Sequence, residues 1–327
     1  MIDLASRALG GTVMWASDEF FAGAENLITP GAATHDTAAY GLRGKVYDGW
    51  ETRRHSPEAD AAIVRLAAPG IVRAVVVDTA FFTGNYPPFA SIEGTCRLGH
   101  PPLDELDWTP LVPKSPLKGD TANELTVDGA DRLVTHVRLR IYPDGGVARL
   151  RVLGDVVPDP RWLGGRVDLA AATSGGTVVD CSNTFYASPA NVLAPGRAAV
   201  MSDGWETARR RDDDNDWLVV ALAAPGELHH AVIDTSRFVG NAPSFAALTD
   251  ADTGVELLPR TRLLPDTEHR FRLRAVVAGR VRLDVYPDGG ISRLRLHGTV
   301  ADDARDEIAQ RWQALLPSDQ PAEEYFT

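Results

Sequence analysis

Val137, Leu139 and Ile141 alternate with Arg138, Arg140 and Tyr142, a period of two that sets one apolar face against a core and leaves the other polar. The pattern returns with Val281, Leu283 and Val285. In both places a Tyr-Pro-Asp-Gly-Gly run follows, at residues 142–146 and 286–290, and an extended apolar stretch resumes beyond it. That arrangement predicts a hairpin in each. Two further apolar runs, residues 71–77 and 229–233, follow Pro-Gly pairs and end at Asp-Thr, as buried strands with polar ends would. Helical spacing is confined to residues 302–316, through Ile308, Trp312 and Leu315, with acidic residues near the start where the helix dipole favours them. Frequent short strands punctuated by Gly and Pro predict an all-β fold, a β-sandwich of jelly-roll type.

The recurrence is more than local. Asp48-Gly49-Trp50-Glu51-Thr52 returns as Asp203-Gly204-Trp205-Glu206-Thr207, each followed by arginines. Ala67-Ala68-Pro69-Gly70, Asp78-Thr79 and Phe82-Thr83-Gly84-Asn85 return in the same order as Ala223-Ala224-Pro225-Gly226, Asp234-Thr235 and Phe238-Val239-Gly240-Asn241. A period of this length is that of a whole domain folded twice rather than of a solenoid unit. The expected organisation is two tandem jelly-roll domains, residues 1–157 and 167–300, joined by a Pro/Gly-containing linker over residues 158–166, with a C-terminal helix and tail over 301–327. Duplication also supplies an internal control: positions that differ between the copies are those whose identity the fold does not require.

Composition narrows the function. With 44% hydrophobic and 24% charged residues among 327, the chain has the make-up of a folded globular protein. No apolar run reaches the length of a membrane span, and the first residues lack a basic region followed by an apolar stretch, so the expected compartment is the cytoplasm. A formal net charge of −12 disfavours nucleic-acid binding and points to a small-molecule substrate. The two cysteines, Cys96 and Cys181, occupy non-equivalent places, against a disulfide framework. No cofactor is required by any motif; a divalent metal on acidic residues such as Asp212, Asp213 and Asp214 remains open, with a solvated loop as the alternative.

Candidate chemistry comes from two sources. Among shared motifs, Asp48, Trp50, Glu51, Arg53 and Arg54 group carboxylates, a ring and guanidinium ions suited to a planar polar ligand, although a buried staple is the competing role for the Gly-Trp pair. Asp78, Thr83 and Asn85 lie around strand-to-loop junctions. Among differences, Tyr86, Ser91 and Glu93 stand where the second copy has Ala242, Ala247 and Thr249, and His136, suited to proton transfer near neutral pH, stands where it has Arg280.

Taken together and in order, residues 18–22, Glu25-Asn26-Leu27, Gly44-Lys45, residues 48–54, Asp78-Thr79, residues 82–88, residues 136–139 and the 142–146 turn resemble the allantoicase family over nearly the whole chain. The resemblance implies two jelly-roll domains, a homo-oligomer, and hydrolysis of allantoate to ureidoglycolate and urea. Such a site needs a cation for the substrate carboxylate, partners for the ureido groups, an acid for the departing urea nitrogen and a base for water. Arg53 or Arg54 is the candidate for the first and Asn85 with Thr83 for the second; Glu51, Asp78, Glu93 and His136 are the acid-base candidates. The second copy departs from the family pattern at residues 238–243 and lacks the Thr-His pair, which directs attention to the first. The alternatives are a binding β-sandwich without catalysis, with Trp50 and Trp205 as its aromatic platform, and a degenerate relative that has lost activity.

Overall fold

The computed structural model describes residues 1–127 and 129–320, so residues 321–327 of the expected tail lie outside the described residues. The fold is all-β, with one α-helix, Asp302–Leu315, among the described residues. It divides into two compact units, one of residues 1–157 with 315–320 and one beginning at Pro158.

In the first unit the organising element is the 19-residue strand Asp60–Asp78. Its first half pairs with Val134–Tyr142 and with Thr12–Ala16. Its second half pairs with Arg149–Val156 and with Ala122–Thr126. The strand therefore belongs to both sheets and passes from one to the other through the Ala67-Ala68-Pro69-Gly70 segment. Gly70 is required at this corner, because a Cβ there would lie 2.7 Å from the Asp155 carbonyl oxygen and 2.9 Å from Leu4. Phe89–Thr95 and Thr109–Pro116 extend the first sheet beyond Val134–Tyr142. Between the sheets lie Val64, Val75, Val77, Ile92, Val137, Leu139, Ile141, Leu150 and Val152, all removed from water, which is the apolar set the alternation selects.

This topology corrects the hairpin expectation. Val134–Tyr142 and Arg149–Val156 are not paired with each other. Ile141 sits opposite Asp60, whereas Arg149 sits opposite Asp78, so the Tyr-Pro-Asp-Gly-Gly turn crosses between sheets. Alternation reports which face of a strand is buried and is silent about which strand lies beside it. The crossing also brings both ends of the long strand to one end of the sandwich, together with Trp50–Glu51, the 79–88 loop and the 142–146 turn.

The second unit repeats the plan around Asp216–Asp234. Here the two strands equivalent to Ala122–Thr126 and Val134–Tyr142 are fused into one, Glu268–Tyr286.

The repeated motifs now have reasons. Trp50 and Trp205 are fully buried, each donating its indole N–H to a main-chain carbonyl, Asp18 at 2.7 Å and Asn183 at 2.8 Å. Thr52 and Thr207 accept through Oγ1 from the N–H of Gly145 and Gly289, at 3.2 and 3.0 Å. Those glycines have φ of 148° and 131°, a region only glycine enters freely. The next glycines, Gly146 and Gly290, lie against Phe82 and Phe238, where a Cβ would come within 2.0 and 2.1 Å of the ring. The Trp, Thr, Phe and Gly-Gly positions thus form one staple, conserved between the copies because the fold needs it.

Candidate active site

The staple fixes a polar cluster at the end of the first sandwich. In Trp50–Glu51 and the residues after it, Trp50 and Thr52 point into the core, so Glu51 and Arg53 share the opposite side, two residues or about 7 Å apart along the chain. Glu51 is 6% exposed. Its Oε1 accepts a hydrogen bond from Asn85 Nδ2 at 2.8 Å and lies 3.7 Å from Arg54. Burial raises the Glu51 pKa above the usual carboxylate range, the Asn85 hydrogen bond and the Arg54 charge opposing it only in part. Arg54 also pairs with Asp144 at 3.2 Å, and that carboxylate accepts from the Ser56 N–H. A desolvated carboxyl that holds its proton more tightly than usual, beside a half-exposed guanidinium, is the combination an acid-base group requires.

Arg53 faces solvent, with its side chain 65% exposed. Asp18 fixes it at 3.0 Å and its guanidinium lies 4.8 Å from the Phe20 ring centre. Arg43 sits over the same ring, 4.5 Å from its centre. Two guanidinium ions against one ring make a positive rim beside Glu51, suited to a carboxylate. Arg43, Asp18 and Asp144 escaped the reading of the sequence as site residues. Arg43 carries no motif, and Asp144 reads as a turn residue until Arg54 is found beside it.

The other candidates divide. Asp48 is committed to Arg149, a buried arginine, at 2.8 Å, and accepts from the Thr34 N–H at 2.9 Å. Although burial pushes the Asp48 carboxyl up, these bonds hold it below its ordinary range. Arg149 also donates to the Asp48 carbonyl, as Arg293 does to that of Asp203, so Asp48 anchors the loop. Trp50 cannot touch a ligand: it is a core residue with its N–H already bonded. This corrects its assignment to binding and removes the Trp50 and Trp205 platform. Asp78 accepts from the Ala80 N–H at 2.9 Å, an Asx-type turn that Asp234 repeats with Ser236. Thr83 is exposed on the 79–88 loop. Tyr86 is half-buried beside Gly119, where an added Cβ would lie 2.5 Å from its ring.

Glu93 and His136 lie elsewhere. Both are on the outer face of the first sheet, Glu93 opposite Arg138 and bonded to it at 2.6 Å, with Arg138 stacked on Trp108 at 4.6 Å. His136 is 1% exposed, with Nδ1 2.9 Å from Thr135 Oγ1 and Nε2 lacking a hydrogen-bond partner. Burial, with Arg65 and His100 nearby, lowers its pKa to about 4. Six residues of strand, roughly 20 Å, separate His136 from Tyr142 at the cluster's end of the sheet. Of the acid-base candidates Glu51, Asp78, Glu93 and His136, the fold therefore does not bring Glu93 and His136 together with Glu51. Register, which no local pattern encodes, sets this separation.

In the second unit Glu206 keeps its bond from Asn241 Nδ2, at 2.5 Å. Ala208 replaces Arg53 and Asn183 replaces Asp18, with the equivalent Ala208 N–H to Asn183 bond retained at 3.3 Å. The Asp212 and Asp214 carboxylates pair with Arg210, at 2.8 and 3.6 Å. Among the described residues no group of three or more His, Cys, Asp or Glu side chains is placed to hold a metal ion, and no helix is long and apolar enough to cross a membrane.

The model of the allantoicase repeat matches twice, over residues 2–157 and 167–301. The chain belongs to the allantoicase family. Among allantoicase relatives, a probable allantoicase of Nocardia farcinica is 56% identical over 308 residues, covering 90% of this chain and 93% of that protein. One from Streptomyces avermitilis is 47% identical over 336 residues, covering 96% and 89%. The crystal structure of the Saccharomyces cerevisiae allantoicase superimposes with a TM-score of 0.80 at 36% identity, covering 91% of this chain and 92% of that one. The two-sandwich architecture is therefore that of an allantoicase along the full matched length.

Proposed function

We propose that this chain hydrolyses allantoate to ureidoglycolate and urea, and that the loop end of the first unit is where it does so. Family membership supports the reaction. The observation that carries the location is Glu51, a buried carboxyl of raised pKa next to an exposed pair of arginines. In this reading Arg53, with Arg43, binds the substrate carboxylate. Arg54, Asn85 and Thr83 border the ureido groups, with Asn85 and Arg54 also orienting Glu51. Glu51 manages the proton: as water attacks the central carbon a C–O bond forms, the C–N bond to one ureido group breaks, and the proton lost by water balances the one gained by the departing urea nitrogen. Asp78, Glu93 and His136 stand outside this proton path, and Asp48 and Tyr86 support the loops around it.

The second unit keeps the Glu206 and Asn241 pair without the Arg53 equivalent, so it supports the fold and not a second equal site. The cytoplasm, a homo-oligomer, and the absence of nucleic-acid or membrane partners complete the reading, resting on the net charge of −12 and the family resemblance. The test is urea release from allantoate by the purified protein, with ureidoglycolate as parallel substrate and Glu51→Gln beside Glu206→Gln. Release that Glu51→Gln abolishes and Glu206→Gln spares supports both reaction and location. Release lost only in Glu206→Gln moves the site to the second unit. No release from folded protein, with or without added divalent metal, favours the binding or degenerate alternative.

A further inference from the structure

On the outward face of the second unit three adjacent strands place basic residues in register. Arg272 lies opposite His230, and His230 opposite His297; one pair further along, Arg270 lies opposite Val232, and Val232 opposite Arg295. Opposed residues in antiparallel strands are about 5 Å apart, so the side chains converge over a patch roughly 10 Å wide. They line a groove of about 480 Å³.

The fold does not ask for these residues. In the first unit the positions of His230, Arg270, Arg272 and His297 hold Ala74, Glu124, Thr126 and Leu153, and Arg151 alone keeps a counterpart, Arg295. One sandwich therefore has a face of balanced charge there and the other a positive one, within a chain of net charge −12. The groove's own contacts neutralise it only in part. Arg270 pairs with Glu268 at 2.8 Å while 80% exposed. Arg295 is held by the carbonyls of Val192 and Gly196, at 3.3 and 3.2 Å, and by Asp168 at 3.6 Å, which fixes its place in the floor. Among the described residues the side chains of Arg272, His230 and His297 make no hydrogen bond or ion pair. Of the three guanidinium groups around the groove, that of Arg272 alone is left without a carboxylate partner, and a bound anion supplies the one it lacks.

We propose that this groove is a binding site for a small oxyanion-bearing metabolite, distinct from the allantoate site, with Arg272, His230 and His297 as the ligating side chains and Arg295 in the floor. Its volume accommodates a phosphorylated or polycarboxylate molecule rather than a bare ion. A phosphate and a carboxylate share the chemistry that the fork of Arg272 recognises.

Calorimetric titration of the full-length protein at constant ionic strength, with inorganic pyrophosphate in one arm and citrate in the other, tests the site and separates the two sources. Saturable binding of either probe is expected. It weakens at least tenfold in Arg272→Gln and in His230→Gln, and is unchanged in Arg166→Gln, which removes an exposed charge elsewhere on the same unit. All three positions are exposed, and allantoate turnover is expected to remain at the wild-type level in each. Equal weakening in Arg166→Gln would mean a diffuse field effect and would overturn the proposal. So would the absence of saturable binding to the wild type, or loss of turnover in Arg272→Gln, which would make the groove part of the substrate site.

Discussion

Replacing Glu51 by Gln separates catalysis from stability at one atom. Gln retains an oxygen to accept from Asn85 Nδ2, so the 2.8 Å hydrogen bond survives. What goes is the 3.7 Å attraction to Arg54, whose half-exposed guanidinium is screened by solvent and limits the contribution to between zero and about 1 kcal/mol. Against this, the change removes the desolvation that raises the Glu51 pKa. The sign follows from that direction. A carboxyl whose folded pKa lies above its unfolded value of 4.5 contributes its stability below that value and loses it as pH rises through the folded pKa. Above the folded pKa the wild type carries a desolvated charge that the variant lacks, so towards the alkaline end of the range the melting temperature of Glu51→Gln should match or exceed that of the wild type. Turnover should fall by about 10² to 10⁴, the contribution of a positioned acid-base group, or roughly 3 to 5 kcal/mol of transition-state stabilisation. The assay is urea release across pH 4 to 9 beside thermal unfolding in the same buffers; wild-type kcat/KM should show an ionisation above the ordinary Glu range that the variant loses. Turnover within threefold of wild type would refute the assignment, and so would a melting temperature several degrees lower, which would make Glu51 a structural residue.

Arg53→Ala should raise KM for allantoate by roughly 10- to 100-fold with a smaller change in kcat, as expected for a lost charge-assisted bond of about 1.5–3 kcal/mol; initial-rate kinetics decide, and an unchanged KM would move the carboxylate to another cation. Trp50→Ala should destabilise the first unit by about 3–5 kcal/mol through the cavity and the lost bond to Asp18, read by denaturant unfolding, whereas a variant of near wild-type stability would contradict the staple. Gly146→Ala places a methyl 2.0 Å from Phe82 and should cost about 1–3 kcal/mol by overpacking, visible as a lower melting temperature; no shift would mean the turn relaxes freely. His136, buried with its pKa lowered from 6.5 to about 4, contributes stability present above its unfolded pKa and lost as pH falls from about 6.5 towards 4. His136→Gln should flatten that part of the stability-pH curve, and an unchanged slope would put the acid sensitivity elsewhere.

The sequence by itself determined the duplication, the all-β class, the C-terminal helix and the family, because each is written in local or repeated signals. Alternation at Val137, Leu139 and Ile141 records burial of one strand face, and the Trp50, Thr52, Phe82 and Gly146 positions recur because a close-packed staple tolerates few alternatives. The family resemblance added the reaction, which no single residue encodes. Comparing the copies drew attention to His136 and Glu93 because they differ, yet difference marks freedom from the fold without saying where a side chain lies. Only the tertiary structure decided that the Tyr-Pro-Asp-Gly-Gly turn crosses between sheets, that Trp50 is interior, and that Glu51, Asn85, Arg54 and Asp144 converge while His136 lies a strand's length away. Those outcomes depend on register and strand order, which are set by contacts between residues far apart in the chain. Side-chain chemistry can be read position by position, but the burial that raises the Glu51 pKa arises when those distant segments close around it.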